Sequence, residues 1–172
     1  MEAYELTTHG GATDFERVIA ACETFAPWCL IGGLAVNCYV EPVYTLDADI
    51  VVMAAHLPEL AAHLQGQGFR VEEHGHSVNA QPPNSDLRIQ FTTDDRYQSF
   101  PSRAVEGTVL GFAVKVASLT DIAQGKLWAW SDPAHRLSKR KNDELDLIRL
   151  AETHPDLLAM YPEEIKRQLG LL

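Results

Sequence analysis

Between Trp28 and Met53 the chain reads WCLIGGLAVNCYVEPVYTLDADIVVM, and this stretch narrows the folds open to it more than any other. Trp28 to Ile31 is an apolar run too short for a helix and suited to a buried strand. Gly32 and Gly33 then let the backbone turn sharply into a second helix, which Glu41-Pro42 must terminate. From Thr45 to Met53 polar and apolar residues alternate, so that Thr45, Asp47 and Asp49 share one face of a strand and Leu46, Ala48 and Ile50 the other. The carboxylates are thus expected on an open face of a sheet whose reverse is packed.

The same stretch carries the strongest chemical signal. A glycine pair at a helix N-terminus presents bare N–H groups to an anion such as phosphate. Two carboxylates two residues apart on a strand point the same way and can share a divalent cation. Either feature alone has a plain structural reading, a turn that needs glycine or a solvated sheet face. Their order and spacing, with a helix-breaking proline between, favour a phosphate seat beside a metal seat.

Gly-Gly, thirteen intervening residues and then Asp-Ala-Asp-Ile resembles the signature of the DNA polymerase beta nucleotidyltransferase superfamily. Thr45-Leu46-Asp47-Ala48-Asp49 resembles in particular the minimal nucleotidyltransferases related to the AbiEii/AbiGii abortive-infection toxins. The resemblance implies a mixed α/β fold, a small twisted mixed sheet with helices on one face, the site on the other and a C-terminal helical layer, and transfer of a nucleotide from an NTP to a hydroxyl of RNA, protein or a small molecule. It implies Asp47 and Asp49 as catalytic residues holding Mg²⁺ or Mn²⁺, and Gly32, Gly33 and Thr45 on the nucleotide. A cognate antitoxin is the partner such toxin-like systems often have.

Downstream, Ser118 to Asp121 is a capping-box start to a helix reaching Trp130, with Leu119, Ile122, Ala123 and Trp130 in one stripe and Lys126 in the middle of it. A lysine there either snorkels from a packed stem or faces an acidic, phosphate-binding site. Lys126-Leu127-Trp128-Ala129 resembles the second motif of the AbiEii type, which adds Lys126 to the catalytic and nucleotide-binding set. The run Arg136 to Asp146, RLSKRKNDELD, reads by itself as a charged helix start. Its likeness to the third AbiEii-type motif makes Asp143 a catalytic candidate and brings in Arg136, Lys139 and Lys141 as cations for the nucleotide. One departure stands out. Many superfamily members carry a third carboxylate on a later strand, and here the strand Asp86-Leu87-Arg88-Ile89-Gln90-Phe91 puts Gln90 in that place. The rival reading is therefore a non-catalytic nucleotide- or protein-binding module with a degenerate site.

The rest of the chain sets bounds. Residues up to about Gly11 read as a loose or edge segment, followed by a helix with Thr13 and Glu16 as its capping box. His56 to Gln65 reads as a helix, Phe69 to Asn79 as a hairpin, and Thr92 to Gly107 as polar and turn-rich. Pro155 and Pro162 split the tail. The expected organisation is a nucleotidyltransferase core over 1–117 and a helical layer over 118–172. A formal charge of −10 argues against an extended nucleic-acid surface. The three cysteines have no CxxC spacing and read as reduced core thiols. With no apolar run of membrane length and no basic, apolar leader, the expected location is the cytoplasm, away from membranes.

Overall fold

The computed structural model describes residues 2–170. Its strands are β1 Trp28–Ile31, β2 Asp47–Val52, β3 Arg70–His74, β4 Ser77–Gln81, β5 Arg88–Thr92, β6 Val105–Val109 and β7 Phe112–Val116. They form one mixed sheet in the order β3-β4-β5-β2-β1-β7-β6. The helices are α1 Glu2–Thr7, α2 Gly11–Thr24, α3 Gly32–Val36, α4 Leu57–Gly66, α5 Leu119–Ser131, α6 Leu137–Thr153 and α7 Glu163–Gln168. The mixed α/β class that the resemblance implies is the class observed, with the last three helices following the sheet.

The register decides what meets at the centre. β2 runs antiparallel to β1 and parallel to β5, so Asp49 lies beside Ile31 on one side and Gln90 on the other. One strand further out, Asn79 pairs with Gln90. Ala48, Ile50, Ile89 and Phe91, on the opposite parity, are buried with Leu60 and Leu64 of α4 in the core. Near β7, Phe15 of α2 meets Phe112 with ring centroids 6.4 Å apart. Among the described residues, no helix is long and apolar enough to cross a membrane.

Several local expectations are corrected. The segment before Gly11 is helix α1, not a loose edge, and Tyr4 Oη donates to the Thr45 carbonyl at 3.2 Å, tying it to the chain that enters β2. α2 begins at Gly11, ahead of the proposed Thr13 cap, because the Thr8 hydroxyl accepts the Gly11 N–H at 2.9 Å. The second helix ends at Val36 instead of reaching Pro42. The cause is Asn37, whose side chain bonds both the N–H and the carbonyl of Val43 and folds the intervening residues into a loop. The region 92–107 holds two 3-10 turns, Asp95–Tyr97 and Phe100–Arg103, the first capped by the Asp94 carboxylate accepting the Arg96 N–H. The β6–β7 turn places Leu110 and Gly111 at φ 52° and 84°, both left-handed, as a tight hairpin requires.

Candidate functional site

The first contact to form the site is between the glycine turn and the strand. Gly32 has φ +69°, and a Cβ there would lie 2.8 Å from Asp49 Cγ and overlap its Oδ2. Only glycine allows the turn and the carboxylate to pack together. Gly33 is different: its nearest neighbour would be Thr45 Cγ2 at 3.7 Å, so its missing side chain leaves space open in front of the backbone.

Asp47 and Asp49 stand in unlike surroundings. Asp47 is half exposed and paired with Arg88 Nε at 2.6 Å. Asp49 is half-buried, and its pKa is raised to about 6. Burial is the main cause, opposed by Lys126 and Lys139 and reinforced by the charges of Asp47 and Asp143.

Helices α5 and α6 bring the opposing wall. Lys126 Nζ donates to Asp143 Oδ1 at 2.8 Å and pairs with Asp146 Oδ2 at 2.7 Å. Burial works to lower its pKa, but the two carboxylates outweigh it and hold the ammonium protonated. Asp146 also pairs with Arg149 at 2.7 Å, and Arg149 donates to the carbonyl of Glu41 in the loop after α3. Asp143 is 5% exposed, and its Oδ2 has no hydrogen-bond partner among the described residues. Such an atom is costly to bury and calls for a donor from outside.

Two hollows meet at Asp49, Gln90, Lys126, Lys139 and Asp143. The larger, about 670 Å³, reaches Gly33, Thr45, Asp47 and Arg136, and is called the glycine lobe below. The smaller, about 310 Å³, reaches Gly32, Tyr97, Phe100 and Trp128, and is the aromatic lobe. The structure thus brings Gly32, Gly33, Thr45, Asp47, Asp49, Lys126, Arg136 and Asp143 to one cleft. It does not bring Lys141 there: that ammonium is bound to Glu144 at 2.8 Å, beside the Trp130 indole that donates to the same carboxylate. Asp86 is also elsewhere, paired with His9 at 2.8 Å on the surface, and does not stand in for the acid missing at Gln90.

Sequence reasoning missed the aromatic wall, because Tyr97 and Phe100 sit in short turns without periodicity. A signal existed in Gly125, an unexplained helix-interior glycine: a Cβ there would lie 3.0 Å from Tyr97 Cε1. Arg88 as the partner of Asp47 was also missed, although their positions on adjacent parallel strands put them in register.

A metal must fit this donor set. Among the described residues no three His, Cys, Asp or Glu side chains converge on a metal position. Asp47 and Asp49 alone remain, which suits magnesium, a cation that takes one or two carboxylates and fills its other positions with water and phosphate.

No protein-family model matches the chain, and no curated protein matches it. Solved structures do. The solution structure of the antibiotic-resistance factor ANT(2'')-Ia is similar over 92% of this chain and 92% of its own, with a TM-score of 0.65 and 17% identity. The crystal structure of ANT(2'')-Ia in complex with adenylyl-2''-tobramycin is similar over 88% of this chain and 98% of that one, with a TM-score of 0.55 and 18% identity. At these identities the likeness is one of fold: the mixed sheet and the helices after it share the architecture of those structures.

Proposed function

We propose that this protein transfers a nucleotide from an NTP to a hydroxyl acceptor. The observation that carries the reading is the contact of Gly32 with the Asp49 carboxylate, which joins a turn suited to phosphate with a strand suited to a cation. The likeness to a structure holding an adenylylated product supports it and favours ATP as donor.

Asp47 and Asp49 would hold Mg²⁺ or Mn²⁺, which when bound neutralises charge on the phosphate oxygens. The open backbone at Gly33, with Thr45 beside it, seats the terminal phosphates. Arg136 and Lys139 have no ion-pair partner among the described residues and so are free to face the triphosphate. Lys126 fixes Asp143, whose free Oδ2 accepts the acceptor hydroxyl and takes its proton. The hydroxyl oxygen bonds to the α-phosphorus, the bond to the bridging oxygen breaks, and pyrophosphate leaves. Assignment to the toxin-type enzymes, with an antitoxin partner and an RNA or protein acceptor, rests on the matches at Asp47, Asp49, Lys126 and Asp143 alone.

A second reading, a nucleotide- or protein-binding module without catalysis, is favoured by Gln90. Its amide lies beside Asp49 and can neither take a proton nor add charge to a metal site. Labelled ATP, Mg²⁺ and a cell extract fractionated into RNA, protein and small molecules distinguish the two. Label transfer that disappears in Asp47→Ala supports the enzyme. Nucleotide binding without transfer supports the module, and no binding of either Mg²⁺ or ATP sinks both.

A further inference from the structure

The two lobes differ in which charges are left unmatched. In the glycine lobe Arg70 is paired with Glu72, Arg88 with Asp47 and Arg149 with Asp146, and the cations left over are Arg136 and, at the junction, Lys139. In the aromatic lobe Arg96 is held by Asp94 at 2.6 Å, and Asp121 is held by Arg103 at 2.7 Å. Apart from Asp49 and Lys139, which the two lobes share, the group left over is a carboxylate. Asp132 accepts the Ala134 N–H at 2.8 Å and has no Lys or Arg within ion-pair distance among the described residues; the His135 ring lies at 3.9 Å and Arg96 acts on it from further off.

One side of this lobe is aromatic, with the Arg96 guanidinium 5.0 Å from the Trp128 ring centroid. Tyr97, Phe100 and Trp128 pack with centroids 5.1 to 5.9 Å apart, Phe100 stacked on Trp128 and Tyr97 edge-on to both. Where the lobes meet, Asp143 Oδ2 is buried without a donor. A ligand that satisfies all three features has a cation for Asp132, an apolar body for the aromatic wall and a hydroxyl for Asp143.

We propose that the aromatic lobe is the acceptor site and that the acceptor is a small amino alcohol with an apolar body. This rests on the nucleotidyltransferase reading, which places the triphosphate in the glycine lobe with the unmatched cations. A volume of about 310 Å³ takes a small molecule and not a folded macromolecule. An RNA strand would bring phosphates against Asp132 and Asp143 with Lys139 as the sole unmatched Lys or Arg of this lobe among the described residues to receive them.

Three probes that share a skeleton test this: phenylethanolamine, phenylethylene glycol and mandelate, titrated by calorimetry into the full chain with and without ATP and Mg²⁺. The amine should bind about tenfold tighter than the glycol, the scale of one desolvated charge contact, and mandelate weakest. Asp132→Asn should erase the preference for the amine and leave glycol binding unchanged. Trp128→Ala should weaken the amine and the glycol alike, while ATP affinity stays put in both variants. Equal binding of amine and glycol overturns the proposal, as does a preference that survives Asp132→Asn. Competition between ATP and the amine also overturns it, since the lobe would then belong to the nucleobase. Failure of ATP to bind at all sinks the nucleotidyltransferase reading instead, and is seen separately from the amine titration.

Discussion

Asp49→Asn should make the metal-free protein more stable at neutral pH. The wild-type carboxyl titrates at about 6 in the fold against an ordinary 3.8, so the folded state binds its proton more tightly than the unfolded state does. For a raised acid the sign is fixed. Between those two values the unfolded chain loses its proton first, stability falls as pH rises, and above pH 6 the full penalty stands. About two units correspond to roughly 3 kcal/mol. No hydrogen bond holds the carboxylate among the described residues, so the amide gives up no partner.

The assay is thermal and urea unfolding of both proteins in a chelator from pH 4 to 8. At pH 7.5 the variant should lead by about 3 kcal/mol, or about 6 to 12 °C for a domain of this size. The lead should shrink to under about 1 kcal/mol near pH 4, where the wild-type group is protonated in the fold and partly so in the unfolded chain, and should also shrink when Mg²⁺ is added to the wild type. A variant no more stable than wild type at pH 7.5, or a lead that does not change with pH, refutes the reasoning.

Other perturbations separate packing from ligand binding. Gly32→Ala should cost about 2 kcal/mol or more in urea titration, through its left-handed backbone and the displaced Asp49 carboxylate. Gly33→Ala should stay within about 1 kcal/mol of wild type, since its Cβ meets nothing closer than 3.7 Å, yet weaken ATP binding measured by calorimetry. Gln90→Asp puts a third carboxylate beside Asp49; Mg²⁺ affinity should rise and metal-free stability at pH 7.5 should fall, and a variant that shows neither change contradicts the register between these residues. Burial raises the thiol pKa of Cys22 and of Cys29, so a thiol-specific reagent should label neither until denaturant unfolds the chain.

Where sequence reasoning succeeded, a single local rule sufficed. Strand parity alone puts Asp47 and Asp49 on one face, and the resemblance to the superfamily's third-carboxylate pattern points to Gln90, which the register sets beside Asp49. It failed where several competing short-range bonds set the path. Nothing in the pattern reveals that Asn37 prefers Val43 to another helical turn, or that the Thr8 hydroxyl caps a helix assigned to Thr13. The aromatic lobe was hidden for a related reason, since its parts come from a 3-10 turn pair and from α5, whose meeting depends on tertiary packing.

Lys126 shows how far a motif can be trusted. Its place in an apolar stripe suggests a cation aimed at phosphate, yet the structure surrounds it with Asp143 and Asp146, and Arg149 completes a knot of two cations and two carboxylates, each side chain 14% exposed or less. Two of the three N–H donors of Lys126 are taken by these carboxylates and its charge is matched by both, so it has one donor and little net charge to offer a phosphate. Within the proposed function Lys126 would then be a positioning residue that holds Asp143, and the phosphate-facing role would fall to Lys139, which lines both lobes without an ion-pair partner among the described residues. Lys126→Met should then lower unfolding stability by about 3 to 5 kcal/mol, as expected for breaking a buried pair. Lys139→Met should leave stability within about 0.5 kcal/mol and raise the dissociation constant for ATP. The reverse outcome, a stable Lys126→Met protein that has lost ATP binding beside a Lys139→Met protein that has not, would return Lys126 to the phosphate.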